Sequence, residues 1–426
     1  MFKKFVEKKL QNYVKQYFAK HPEVKLVVVV GSVGKTTSKR AIADVLSTRY
    51  RIRMHEGNLN TELGAPCAIL GIEYPNSVKN PFVWLSVFHT ARQHIHRPTD
   101  VDVIIQELGT DHPGDIEKFG KYLSPDIAVV SAVTPEHMEF FVTMEAVAKE
   151  ELGIAKFSKF VLINRDDVDS KYAEFITTPN YATFGTTGSA EYRFEQHDYS
   201  IENGYTGSVF GPEYPEPFPA TINVVGEHSL RPAMAAVAVG AKLGLAPSEI
   251  AKGLALVRPA PGRMNLLRGI GDTMVIDDSY NSSPAAAAAA LQALYDIDRA
   301  SQRIAIIGDM RELGTTSQSA HEELGGLCDP GLLSWVVTVG PESEKYLAPV
   351  ARGRGCQVKS FMSSIQAAEF VRSVTEPGAI ILAKGSQNTI FVEEAVKLLV
   401  DISEESHLVR QSPQWLEIKA KFFEQF

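Results

Sequence analysis

The residues with the clearest chemical meaning stand in one short run. Gly31-Ser32-Val33-Gly34-Lys35-Thr36-Thr37 follows the apolar stretch Leu26-Val27-Val28-Val29-Val30 and leads into a segment of helical spacing, 38–46. Strand, glycine-punctuated loop, lysine, hydroxyl residues and helix, in that order, make a phosphate-binding loop. Small residues let the backbone N–H groups of Gly31, Ser32, Gly34 and Thr37 turn toward phosphate oxygens, and the helix N-terminus favours the anion. Lys35 would reach the β- and γ-phosphates, and the Thr36 hydroxyl would coordinate Mg²⁺. The general pattern asks for glycine six residues before the lysine, where this chain has Val29. A glycine-rich turn without a ligand is the plainer alternative. The loop points to ATP or GTP and leaves open what the nucleotide drives.

Other chemically capable side chains lie at the ends of apolar runs. Glu107 closes Val101-Asp102-Val103-Ile104-Ile105-Gln106, and His137 follows Ile127-Ala128-Val129-Val130-Ser131. Glu151 sits in a helical stretch from about Met144 to Lys156. Metal-dependent phosphoryl transfer needs hard ligands of these types near the terminal phosphates. Each also has an ordinary reading as a solvated acid, a helix-capping histidine or one more helix charge. Farther along, Asp277-Asp278-Ser279-Tyr280-Asn281, then 308–314 with His321, then Lys384-Gly385-Ser386-Gln387-Asn388, each follow an apolar strand-like run. Three polar loops on one sheet edge are expected to form a ligand face.

Those residues need an α/β scaffold. The sequence predicts a phosphate-loop domain with a mostly parallel sheet, to which short antiparallel strands between Tyr181 and Val225 are attached. A second, Rossmann-like α/β domain follows Pro259-Ala260-Pro261-Gly262-Arg263, with strands at 274–277, 303–307, 335–339 and 379–382. The expected boundaries are 1–22 for an N-terminal helix, 23–258 and 259–403 for the two domains, and 404–426 for an aromatic tail. The N-terminal helix carries six lysines against Glu7 and an apolar face from Phe2 to Phe18. It is expected to dock on its own domain; adsorption to an anionic membrane is the alternative. The aromatic stretch 81–97 reads as core, as a lid, or as a second interfacial element.

Composition limits the function classes. A chain of 426 residues with 44% hydrophobic and 22% charged residues is in the globular range and suggests two or three domains. Its net charge of −8 offers no global field for nucleic acid. Three scattered cysteines, Cys67, Cys328 and Cys356, make neither a metal motif nor a disulfide framework. With no membrane-length apolar run and no signal-peptide core, the sequence predicts a cytoplasmic protein.

Taken together, these motifs resemble the Mur ligase family, and within it most closely the branch that adds D-alanyl-D-alanine. The resemblance covers about 25–400 and rests on 31–37, Gly57-Asn58-Leu59-Asn60, Glu107-Leu108-Gly109, Pro135-Glu136-His137-Met138-Glu139, Gly262-Arg263-Met264, 277–284, 308–314 with His321, and Lys384-Gly385-Ser386. It implies ATP-dependent, ADP-forming amide bond formation through an acyl phosphate, with ATP and Mg²⁺ as cofactors. It also implies a carboxylate donor, such as a cell-wall peptide precursor, and an amino-acid or dipeptide amine. Carried over, Lys35 and His137 act at the transferring phosphate, and Thr36, Glu107 and His137 hold metal; Glu151, where the family has a lysine, is expected to join them as a catalytic residue and metal ligand. Gly31, Ser32, Gly34, Lys35, Thr36, Thr37, Asn58, Arg263, Asp278 and Asn281 contact the nucleotide. Asn60, Asp309, Glu312, His321, Lys384 and Ser386 face substrate. Domain closure would bring Arg263 and Asp278 to the nucleotide and exclude water.

The sequence departs from that family in four places. About 24 residues precede the phosphate-loop strand, where the family usually has a domain for the UDP-sugar substrate. Val30 stands where the family usually has threonine. Glu151 aligns with the family's CO₂-carbamylated lysine and already carries the carboxylate that modification would create. Pro232 aligns with a nucleotide-contacting asparagine, so adenine is expected to be held differently. Other expectations compatible with the residues are ligation on a poly-amino acid or a cofactor carboxylate, and a nucleotide-binding scaffold within a ligase complex. A partner protein or a membrane could present the donor.

Overall fold

A computed structural model describes residues 2–57, 59–75, 77–386 and 390–426. The chain divides into two compact units. One comprises the chain up to Tyr199, Asn203–Asn223 and Leu230–Val257; the other comprises Ser200–Glu202, Val224–Ser229 and Arg258–Phe426.

In the first unit, α1 (Phe2–Lys20), β1 (Lys25–Val30) and α2 (Lys35–Leu46) are followed by β2 (Ile52–Met54), α3 (Gly64–Leu70) and α4 (Pro81–His96). Then come β3 (Val103–Glu107), α5 (Asp115–Gly120), β4 (Ile127–Val130), α6 (Met138–Phe141), α7 (Met144–Leu152) and β5 (Val161–Asn164). The unit ends with β6 (Tyr181–Gly185), β7 (Tyr192–Ser200), β8 (Gly204–Phe210), β9 (Phe218–Ile222), α8 (Leu230–Lys242) and α9 (Pro247–Leu254). The strands form one sheet in the order β2-β3-β1-β4-β5-β6-β7-β8-β9. The four valines of β1 are fully buried, as expected for a strand covered on both faces. Leu26, Val28 and Val30 join a core with α1, α3 and α4, while α2 packs on α8 and α9.

β1 pairs in parallel with β3 on one side and β4 on the other. The chain runs outward in opposite directions from β1. The loops after β1, β3 and β4 therefore meet at the carboxyl edge of the sheet, where open α/β folds place ligands.

One sequence expectation needs correction. The segment after Tyr181 is not uniformly antiparallel: β6 pairs in parallel with β5, and β7 in parallel with β6. β8 and β9 pair antiparallel. Alternating apolar and polar residues fix which face of a strand is buried, not the direction of its neighbour.

α1 uses its apolar face within its own unit. Val6, Leu10, Tyr13, Val14 and Tyr17 are buried among residues of α3 and α4. Among the described residues no helix is long and apolar enough to cross a membrane.

The second unit holds β10 (Asn265–Gly269), β11 (Thr273–Asp278), α10 (Pro284–Tyr295), β12 (Gln302–Gly308), α11 (Ser317–Leu327), β13 (Trp335–Val339) and α12 (Ala348–Gly353). β14 (Val358–Phe361), α13 (Ser364–Val374), β15 (Ala379–Lys384), α14 (Val392–Leu399) and α15 (Pro413–Phe423) complete it. Its sheet order is β10-β11-β15-β12-β13-β14. β10 is an antiparallel edge; the remaining pairs are parallel. The aromatic tail belongs to this unit: α15 packs Phe422 and Phe423 on Phe391, with ring centroids 5.2 and 6.3 Å away.

Candidate active site

The loop after β1 turns because two glycines permit it. Gly31 has φ 127°, and a Cβ there would lie 2.3 Å from Ser131 Oγ. Gly34, at φ 85°, starts α2 in the left-handed region that a side chain disfavours. The loop is also braced from β4. Ser131 Oγ donates to the carbonyls of Val30 and Val33 at 3.0 and 2.6 Å, and Ser32 Oγ accepts from Thr134 N–H at 2.7 Å. Thr37 follows in the first turn of α2.

Lys35 points back into its own loop. Its Nζ donates to Gly31 O and lies 3.5 Å from Glu136 Oε2. Burial works against the Lys35 ammonium, but the carboxylates of Glu136, Glu151 and Glu107 outweigh it and hold its pKa above the ordinary lysine value. It stays charged where a phosphate chain would need it.

Glu107, at the end of β3, is buried and accepts from two sides. Thr36 Oγ1 donates to one oxygen at 2.9 Å, and Asn60 Nδ2 donates to the other at 3.1 Å. Across the loop, His137 has φ 49°. Its Nε2 lies 3.5 Å from Asp111 and 3.8 Å from Glu136.

Glu151 comes up from α7 with only 2% exposure, and its Oε2 has no hydrogen-bond partner among the described residues. Burial pushes its carboxyl up to about 8; the Lys35 ammonium and the Gly31 N–H work the other way. A buried carboxylate oxygen left unpartnered beside a phosphate loop fits a missing cationic ligand. Among the described residues no three His, Cys, Asp or Glu side chains gather into an all-protein cage. The donor set instead fits Mg²⁺, which keeps waters and takes much of its coordination from phosphate.

Sequence reasoning missed three members of this site. Lys39 lies one turn past Lys35, the i,i+4 spacing that would have pointed to it. It is buried, 3.6 Å from Glu107, and donates to His55 O at 2.8 Å and Gly57 O at 3.3 Å. Glu136 stood inside a motif already singled out, next to His137. Asp111, four residues beyond Glu107, carried no signal.

Comparison with known proteins places the chain in a family. The family model for the Mur ligase middle domain matches residues 29–240, and that for the Mur ligase glutamate ligase domain matches residues 262–387. The chain belongs to the Mur ligase family. It is a ligase of the ADP-forming acid–amino-acid class. A relative named UDP-N-acetylmuramoyl-tripeptide–D-alanyl-D-alanine ligase, from Bacillus subtilis, is 27% identical over 401 residues, 92% of this chain and 79% of that protein. Among solved structures, a MurF from Acinetobacter baumannii aligns with TM-score 0.73 at 21% identity, over 97% of this chain and 80% of that one. MurF from Thermotoga maritima, solved in complex with ADP, aligns with TM-score 0.72 at 22% identity, over 98% and 84%.

The second unit of this Mur ligase gathers some of the remaining candidates. Asp278 and Lys384, on neighbouring strands, form a buried pair at 2.7 Å. Lys384 Nζ also donates to Asn281 O at 2.7 Å, and Asp278 accepts from Met264 N–H at 3.2 Å. The Arg263 guanidinium lies over the Tyr280 ring at 4.4 Å. Ser386 is fully buried, with no partner for its Oγ among the described residues.

Asp309 and His321 sit elsewhere on that edge and are occupied internally. Asp309 accepts from Ser343 N–H at 2.7 Å and Glu342 N–H at 3.3 Å. His321 accepts from Met310 N–H at 3.0 Å and meets Ser317 O at 2.8 Å. Glu312 is exposed, with φ 63°. Asn58 lies outside the described residues, as do Gln387 and Asn388.

Two measurable consequences arise in this unit. Asp277 is fully buried, with Oδ2 unpartnered among the described residues. Burial raises its carboxyl to about 6 from an ordinary 3.8. The fold therefore favours the protonated form, and stability falls as pH rises from about 4 to about 6. Asp277→Asn should flatten that slope and stabilise the unit at pH 8 by on the order of 2–3 kcal/mol; urea titrations at pH 4 and pH 8 measure it.

The second consequence concerns Arg410. It pairs with the fully buried Glu393 at 2.7 Å and donates to the carbonyls of Tyr280 and Ser279, both at 3.1 Å. Arg410→Met should cost roughly 2–4 kcal/mol in the same titration, because among the described residues Glu393 then keeps Lys419 alone as a counter-charge.

Proposed function

We propose that this Mur ligase joins an amino acid or dipeptide to the carboxylate of a cell-wall peptide precursor in the cytoplasm, through an acyl phosphate. The observation that carries this reading is the convergence of Lys35, the Thr36–Glu107 pair, His137 with Glu136, and the unpartnered Glu151 around one phosphate loop. The names of the relatives support the donor and the amine: a muramoyl tripeptide and D-alanyl-D-alanine.

In this reading the loop N–H groups and Lys35 bind the ATP phosphates and draw charge from the phosphoryl group as the donor carboxylate attacks it. Thr36 and Glu107 would hold one Mg²⁺, and His137 with Glu151 a second. When bound, these ions neutralise charge on the phosphates and the carboxylate. Lys39 places its ammonium 3.6 Å from Glu107 and anchors the chain at His55 and Gly57 beside it. Arg263, Asp278 and Asn281 are proposed as nucleotide contacts, and Asn60, Lys384 and Ser386 as substrate contacts. Asp309 and His321 are better suited to positioning, since their polar atoms are already engaged. Attack of the amine on the acyl carbon expels phosphate and leaves the amide.

An isotope experiment tests the chemistry. A muramoyl peptide labelled with ¹⁸O in its donor carboxylate, incubated with Mg-ATP and D-alanyl-D-alanine, should pass one label into the released phosphate. Amide formed with unlabelled phosphate would exclude the acyl phosphate.

A further inference from the structure

We propose that the first turns of α1 and α4 form one apolar and basic surface that adsorbs to an anionic lipid bilayer. The two helices run side by side in the same direction. Tyr13 meets Phe88 at 6.0 Å, and Lys20 Nζ meets His96 Nδ1 at 3.0 Å. Lys9 Nζ lies 5.5 Å from the Phe5 ring and 4.5 Å from the Phe88 ring, so it bridges the helices. Their N-terminal ends are therefore at the same end of the pair.

At that end the apolar residues face water. Phe82 is 77% exposed, Leu85 63% and Phe5 56%, with Phe2 and Val78 also exposed. These are not the residues that pack α1 and α4 into the core, which are Val6, Leu10, Trp84 and Phe88. Two large apolar residues from each of two helices, about 80 positions apart in sequence, are brought to one place by the fold. A contiguous exposed apolar cluster of that kind marks an interaction site.

Charge selects the occupant. The segment 2–20 carries six lysines and one glutamate in a chain whose net charge is −8. Lys3, Lys4, Lys8 and Lys79 are exposed, and Glu7 is paired with Lys3 at 3.6 Å. An anionic bilayer attracts this end while repelling the rest of the molecule, which fixes orientation. Exposed Phe and Leu beside Lys is the pairing that enters the headgroup boundary.

Co-sedimentation of the full chain tests this, using phosphatidylcholine vesicles with and without roughly a third phosphatidylserine. The protein should pellet with the anionic vesicles at low salt and stay in solution with the neutral ones. The pair Phe82→Ser and Leu85→Ser, and separately Lys4→Glu with Lys8→Glu, should each weaken binding roughly tenfold. Circular dichroism of these surface variants should match wild type. No pelleting with anionic vesicles at low salt would overturn the proposal. So would binding indifferent to the serine pair, or self-association that the serine pair abolishes, which would assign the face to a second copy of the chain.

Discussion

Glu107→Gln is expected to lower ATP-dependent phosphate release roughly 10²–10³-fold. The substitution keeps the shape of the side chain and removes one charge. Thr36 Oγ1 and Asn60 Nδ2 both donate to this carboxylate, so the amide loses an acceptor facing one of them. A cation held by Thr36 and Glu107 would lose that carboxylate charge. Lys39, 3.6 Å away and as buried as Glu107 itself, also donates to the carbonyls of His55 and Gly57 and would lose the Glu107 charge. An ammonium stripped of its counter-charge inside a protein is costly, so the melting temperature should fall as well. The two effects separate experimentally. If Glu107 only stabilises the fold, activity measured well below the melting point would stay near wild type, and the apparent affinity for Mg²⁺ would not move. The site geometry requires both to fall.

Glu151→Gln is expected to have a comparable effect for a different reason. Glu151 lies under the phosphate loop, its carboxyl pushed up to about 8 by burial against the pull of Lys35, with one oxygen unpartnered among the described residues. Glutamine would place an amide N–H₂ or a neutral oxygen there and hold no cation. If this glutamate supplies the carboxylate that a carbamylated lysine would otherwise provide, wild-type turnover should be the same in CO₂-depleted and bicarbonate-supplemented buffer. Glu151→Lys should be inactive without bicarbonate and recover in part with it. Wild-type turnover by Glu151→Gln would remove this residue from the site.

The phosphate loop was legible because its signals are local. Strand, glycines, Lys35 and Thr36 lie within a dozen residues, and the positive φ of Gly34 is what its sequence position demands. Glu107 and His137 could be named but not joined: only the order β3-β1-β4 brings their loops to one edge. Burial was harder still. Nothing local distinguishes Glu151, whose oxygen is orphaned, from Glu150, whose oxygens accept the N–H groups of Gly114 and Ile116 at 2.7 and 2.6 Å. Asp309 and His321 read as site residues because polar loops at strand ends often are; that they also hydrogen-bond Ser343 and Met310 was not legible in the sequence. The N-terminal helix and the 81–97 stretch could each be read as interfacial, but the sequence could not join them: Phe5 and Phe82 have no sequence relation until α1 and α4 pack.

The central claim is that one site activates a carboxylate with ATP for attack by an amine. Phosphate release from Mg-ATP measures it, with peptidoglycan precursors and D-alanyl-D-alanine offered singly and together, and Lys35→Ala as control. Release that needs both a carboxylate and an amine, and is lost in Lys35→Ala, is the predicted result. Release that proceeds at the same rate with neither present, or that survives Lys35→Ala, would contradict it.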